Sequence, residues 1–350
     1  MNTYIIDKSD ITSIKNVEES SRKVEEGEVL FKLEKASLTA NNITYAVLGK
    51  RFRYWNFFPN ENGGVLPVWG YAYVQESKCD EVNSGDRFYG YFPMADGLII
   101  RPVRVNQYGL VDGMLHRQEL PPVYNYYEKV DTLIVPSDIE DIYMVFQPLF
   151  ATSFLLSYYF KENNCFGSRD VFITSASSKT ALAFAAMLLQ MGLEVNIHGL
   201  TSERNEEFCR STGLYNHISS YDDIESIKSE GSVIVDFAGN RMLLGGLQRQ
   251  LLSSLSKSIN VGLSHWDQSA TDVPLPFKSE LFFAPDHAVQ KQKKWGGKEF
   301  KMRLNKALMP FLRKAKEWMK LQEMMDPIEA YDKTLKGLIS PSEYIVINNG

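Results

Sequence analysis

Residues 171–204 read VFITSASSKTALAFAAMLLQMGLEVNIHGLTSER. An apolar run ends at Thr174, a bend of small residues follows, then a nearly all-apolar helical stretch and a second strand-like run. Strand, turn, helix and strand in that order open a dinucleotide-binding unit, in which a pyrophosphate rests against main-chain amides where the helix begins. The turn contains no glycine. Glycines there give a tight bend, close approach of the backbone to phosphate and close helix-to-strand packing. Ser175, Ser177, Ser178, Lys179 and Thr180 instead bring hydroxyls, amides and a cation to a helix N-terminus, a combination that also holds phosphate. The plainer reading is a capped helix that binds nothing. A Walker A loop does not fit, because it needs glycine where Ile173 and Ser178 stand.

The second strand ends in Gly199 and Leu200, with no carboxylate to accept from a ribose 2′-hydroxyl. Thr201, Ser202 and Arg204 follow, donors that suit a 2′-phosphate, so the expected cofactor is NADPH rather than NADH. The plainer roles are a cap for Ser202 and a solvated Arg204. Further along, VIVDFAGN carries Asp236 and Gly239, and VGLSHW carries Ser264, His265 and Trp266. These fall at the carboxyl ends of the fourth and fifth expected strands, where such a sheet binds its ligand. Backbone bonding is the plainer role for His265.

Around this core, strands alternate with helices from about Val171 to Pro285, the rhythm of a doubly wound α/β parallel sheet. Upstream, VLFKLEKASL, VWGYAYVQES and DRFYGYFPMADGLIIRPVRV predict a mainly antiparallel β region. The Gly-, Pro- and Tyr-rich stretch 105–131 predicts a long surface loop, and 138–163 predicts two helices separated by Pro148. Residues 298–320 predict an amphipathic basic helix with a solvated face over a core stripe, and Trp295-Gly296-Gly297 before it reads as a loop. The expected domains are 1–135, 136–295 and a returning segment 296–350.

The chain has 350 residues, 44% hydrophobic and 23% charged, with a formal net charge of -5. That acidity and the lack of a dense basic stripe argue against nucleic acid as a partner. No stretch approaches the roughly 18 apolar residues that span a bilayer, and the N-terminus lacks a secretory pattern, so a cytoplasmic location without membrane attachment is expected. Cys79, Cys165 and Cys209 are an odd, scattered set that fits reduced thiols.

Several stretches resemble the medium-chain dehydrogenase/reductase superfamily, in the order that the superfamily has them. They are KASLTANNITYAVLG, the turn Gly85-Asp86-Arg87-Phe88, FQPLFATSFLLSYYF, the Asp236 to Gly239 strand end and the closing YDKTLKGLISPSEYIVIN. The resemblance implies a Rossmann-like domain plus a GroES-like β domain, and a homodimer. Trp69-Gly70-Tyr71 stands where zinc-dependent members carry Gly-His-Glu, and no cysteine pair has matching spacing, so no metal is expected. The likeness therefore points to the zinc-free quinone and enoyl reductases. SASSKTA is similar to the same turn in a bacterial family of unknown function. The implied reaction is NADPH-dependent reduction of a conjugated carbonyl, an enone, quinone or enoyl thioester, on a small-molecule substrate. By the same resemblance Tyr45, with Asn41 and Asn42, is the candidate catalytic group, a phenol able to supply a proton. The alternative is a non-catalytic binding or scaffold protein that kept the fold and lost the glycine turn.

Overall fold

A computed structural model describes residues 1–20, 22–131, 133–261 and 274–349. The chain divides into two compact units, Met1–Val145 with Lys320–Gly350, and Phe146–Met319. These limits differ from the expected 135 and 295. Helix Gly297–Trp318 turns Phe300, Leu304, Leu308, Phe311 and Leu312 inward, and Phe311 packs 5.1 Å from Phe146 and 5.3 Å from Phe150. That helix therefore belongs to the second unit, and the return begins at strand Lys320–Met324.

The second unit holds six parallel strands in the spatial order His217–Ser220, Asn196–Thr201, Asp170–Ile173, Ser232–Asp236, Leu255–Asn260 and Glu280–Leu281. Numbered along the chain this is 3-2-1-4-5-6, the doubly wound order in which the chain reverses direction between the first and fourth strands. Val171, Phe172, Ile173, Val233, Ile234 and Val235 are almost wholly buried, as strands covered on both faces must be. Helix Lys179–Gln190 buries seven of its twelve residues. Its alanines let it lie close to the sheet, and Phe184 meets Phe160 of the preceding helix at 5.1 Å.

That preceding helix, Glu140–Glu162, is continuous, so the expected break at Pro148 does not occur. Proline lacks the N–H that would bond the carbonyl four residues back. The orphaned Met144 carbonyl instead accepts the Tyr89 hydroxyl at 3.4 Å. Among the described residues, 137–162 is also the one helix long and apolar enough to cross a membrane, against the expectation of none, and 72% of the apolar window is buried in the protein core.

The first unit carries a four-stranded sheet and a nine-stranded one. In the larger sheet Val29–Leu38 pairs antiparallel with both Pro67–Ser77 and the closing strand Glu343–Asn348. The stretch expected as a surface loop contributes Gly109–Asp112 and Tyr126–Lys129 to this sheet. Between them Arg117 is almost wholly buried, ion-paired with Asp112 at 3.0 Å and bonded to Tyr127, Asn125 and the Tyr124 carbonyl. The expected loop at Trp295 is a joint between helices Ala284–Trp295 and Gly297–Trp318, made by Gly296 at φ 83.

Candidate functional site

The turn at 174–178 leaves the first strand at the switch point, and the segment after Asp236 leaves the neighbouring fourth strand beside it. Ser175 adopts φ 50, the left-handed region where a side chain is strained by roughly 1–3 kcal/mol. Its amide donates to the Tyr221 hydroxyl at 2.9 Å. Ala176 is tied by its amide to the Leu200 carbonyl at 3.0 Å, and its carbonyl accepts the Tyr215 hydroxyl at 2.6 Å. Ser178 caps the helix by accepting the Ala181 amide. Among the described residues, no group accepts from the amides of Ser177 or Thr180. These two donors at a helix start, where the helix dipole is positive, are what an anion requires.

The Ser177 hydroxyl accepts from Thr201 at 3.3 Å and Asn205 at 3.2 Å, which stitches the turn to the end of the second strand. Thr201 is buried and its hydroxyl is spent on that bond. Ser202 precedes the short helix Glu203–Asn205 without a side-chain cap bond, and Arg204 is exposed with no ion pair among the described residues. Of the three expected phosphate donors, Ser202 and Arg204 are therefore available and Thr201 is a brace. Lys179 stands at the first position of the helix, half-buried.

Asp236 is buried, and its carboxylate accepts the Thr174 hydroxyl at 2.5 Å and the amides of Ala238 and Gly239. Thr174 in turn accepts the amides of Phe237 and Ala238. Burial outweighs these bonds and pushes the carboxyl up to about 6. Asp236 thus clamps the first-strand turn to the fourth-strand segment instead of presenting a free carboxylate. Gly239, at φ 73, makes the bend that closes the clamp. Ser264 and His265 lie outside the described residues.

In the first unit, helix Ala40–Val47 starts from a capping box in which the Asn42 side chain accepts the Thr39 amide. The same Asn42 donates to the Pro67 carbonyl at 2.9 Å. Its amide is committed to structure. Asn41 is half-buried beside Tyr45. Tyr45 is buried among Tyr54, Tyr91 and Tyr124, and its hydroxyl accepts the Trp69 indole N–H at 3.3 Å. Burial raises this phenol well above its ordinary range, so it stays protonated at neutral pH. Among the described residues no three His, Cys, Asp or Glu side chains converge in a metal-binding cluster.

Sequence reasoning missed Tyr215, Tyr221, Thr174 and Asn205. The two tyrosines reach the turn from beyond the second strand, and no local spacing marks that contact. Thr174 was visible as the last residue of the strand, but its bond to Asp236 depends on the pairing of the first and fourth strands.

A family model described as "Protein of unknown function (DUF2855)" matches residues 36–340. No curated protein matches the sequence. Among solved structures the chain is similar to the yhdH oxidoreductase from Salmonella enterica in complex with NADP, at 14% identity and TM-score 0.55 over 100% of both chains. It is similar to CurA from Vibrio vulnificus in complex with NADPH, at 11% identity and TM-score 0.61 over 100% of this chain and 99% of that one. The CurK enoyl reductase matches at 14% identity and TM-score 0.54, covering 99% and 98%. The shared fold is that of the medium-chain dehydrogenases/reductases, a Rossmann-like sheet with a GroES-like β domain.

Proposed function

The chain belongs to the DUF2855 family, and we propose that it is an NADPH-dependent reductase of a conjugated carbonyl compound. The observation that carries the proposal is the pair of unspent amides, Ser177 and Thr180, at the helix start that follows the first strand of a 3-2-1-4-5-6 sheet. A diphosphate needs donors and a favourable field there, and glycine is only one way of supplying them. The neighbours solved with NADP and NADPH lend support at the level of the fold.

In this proposal Ser177 and Thr180 bind the pyrophosphate through their amides, while Ser202 and Arg204 bind the 2′-phosphate. A guanidinium suits that dianion better than an ammonium because its fork donates two bonds at once. NADPH, when bound, supplies a hydride to the β-carbon of the substrate. Tyr45 keeps its proton because burial disfavours the phenolate, and in this proposal that phenol or a water supplies the proton that completes the reduction after hydride delivery. Asn41 orients the phenol. Asn42 and Asp236 hold the backbone in place without touching substrate.

The test is a titration with NADPH and NADH, followed by NADPH oxidation against enones, quinones and enoyl thioesters. NADPH should bind more tightly than NADH, and Arg204→Ala should remove most of that preference, roughly tenfold, with NADH affinity unchanged. Equal binding of the two coenzymes by the native protein contradicts the assignment. A second reading, a binding protein without catalysis, draws support from the Ser175 amide being already occupied by Tyr221. It predicts no nucleotide binding at all.

A further inference from the structure

Ser175 stands in a backbone conformation that glycine adopts freely and that a residue with a Cβ resists. Such a residue persists only where its surroundings over-determine it. Here they do. The Tyr221 hydroxyl takes the Ser175 amide at 2.9 Å, and the Ser178 amide returns to the Ser175 carbonyl at 2.8 Å. The Tyr221 ring packs against the core of Phe172, Leu200, Ile234 and Leu244 under the sheet. Its hydroxyl therefore arrives from a fixed base.

We propose that Tyr221 is a positioning residue for the cofactor site, holding Ser175 left-handed so that the amides of Ser177 and Thr180 face the diphosphate. The inference rests on the reading of this turn as the pyrophosphate site of NADPH. Tyr221 acts through Ser175, so the phenol and a glycine at position 175 are interchangeable means to one backbone shape. In the absence of the hydroxyl, a serine at 175 relaxes toward negative φ and shifts the turn that presents the Ser177 and Thr180 amides. A glycine at 175 has no Cβ strain to relieve and keeps the bend without help.

Four proteins test this: the native chain, Tyr221→Phe, Ser175→Gly and the double variant, each titrated with NADPH by nucleotide fluorescence and melted without nucleotide. Tyr221→Phe should weaken NADPH binding roughly tenfold, about 1.4 kcal/mol. Ser175→Gly should bind within about twofold of the native chain, and the double variant should match Ser175→Gly rather than Tyr221→Phe. The nucleotide-free melting points should follow the same pattern, lowered by Tyr221→Phe and restored by the added glycine. Binding by Tyr221→Phe as tight as native overturns the assignment. So does a double variant as weak as Tyr221→Phe, since the loss would then come from core packing. If Tyr221→Phe fails to fold, a double variant that folds supports the proposal and one that does not overturns it. Absence of NADPH binding by the native chain removes the cofactor reading, and the nucleotide-free melts still decide whether Tyr221 supports Ser175.

Discussion

Asp236 shows how far a residue's role departs from its motif. A strand-end carboxylate before a glycine reads as a ligand contact, yet both its oxygens are turned inward onto Thr174, Ala238 and Gly239. Its folded-state value near 6 lies above the ordinary 3.8. The folded protein thus holds a proton that the unfolded chain has already released between about pH 4 and 6, and stability contributed by this group falls as pH rises through that window. The loss is on the order of 3 kcal/mol at most and levels off above about pH 6. Urea unfolding at several pH values should show this slope in the native chain and lose it in Asp236→Asn. An identical slope in both would mean that Asp236 does not titrate there. At Arg204 the reverse holds: the side chain is exposed and without an ion pair among the described residues, so Arg204→Ala should leave stability within about 0.5 kcal/mol while changing coenzyme choice.

At the scale of elements, the periodic patterns were legible and the exceptions were tertiary. Alternating and apolar runs located the parallel strands, the antiparallel strands Val29–Leu38 and Pro67–Ser77, and the core stripe of Gly297–Trp318. Pro148 misled because its effect on a helix depends on whether another donor reaches the freed carbonyl, and here Tyr89 does. Tyr89→Phe should therefore cost about 1 kcal/mol in the native chain and close to nothing in a Pro148→Ala background, where residue 148 regains its own N–H. Equal costs in both backgrounds would detach Tyr89 from the proline. The stretch 105–131 misled in the other direction. Gly, Pro and Tyr marked it as loop, while buried Arg117, satisfied by Asp112, Asn125 and Tyr127, ties its short strands into the sheet. Phe311 belongs to the same lesson, since its contacts with Phe146 and Phe150 assign its helix to the second unit. Phe311→Ala should destabilise by about 3–5 kcal/mol.

For the whole molecule, the order of motifs carried the fold, and the 3-2-1-4-5-6 sheet bears it out. The site was legible in part. Of the proposed phosphate site, Ser177, Ser178, Thr180, Ser202 and Arg204 are candidates from the turn and the strand end alone, because such a site would be local in sequence. Tyr221 and Tyr215 cannot, because they reach the turn only once the third strand has docked beside the second. The central claim is that a turn without glycine still offers main-chain donors to a diphosphate. Hydrogen exchange of the native chain with and without saturating NADPH measures this at the amides concerned. Slowed exchange is expected in peptides covering 174–182 and 199–206, whereas unchanged exchange there under saturating nucleotide would contradict the diphosphate reading.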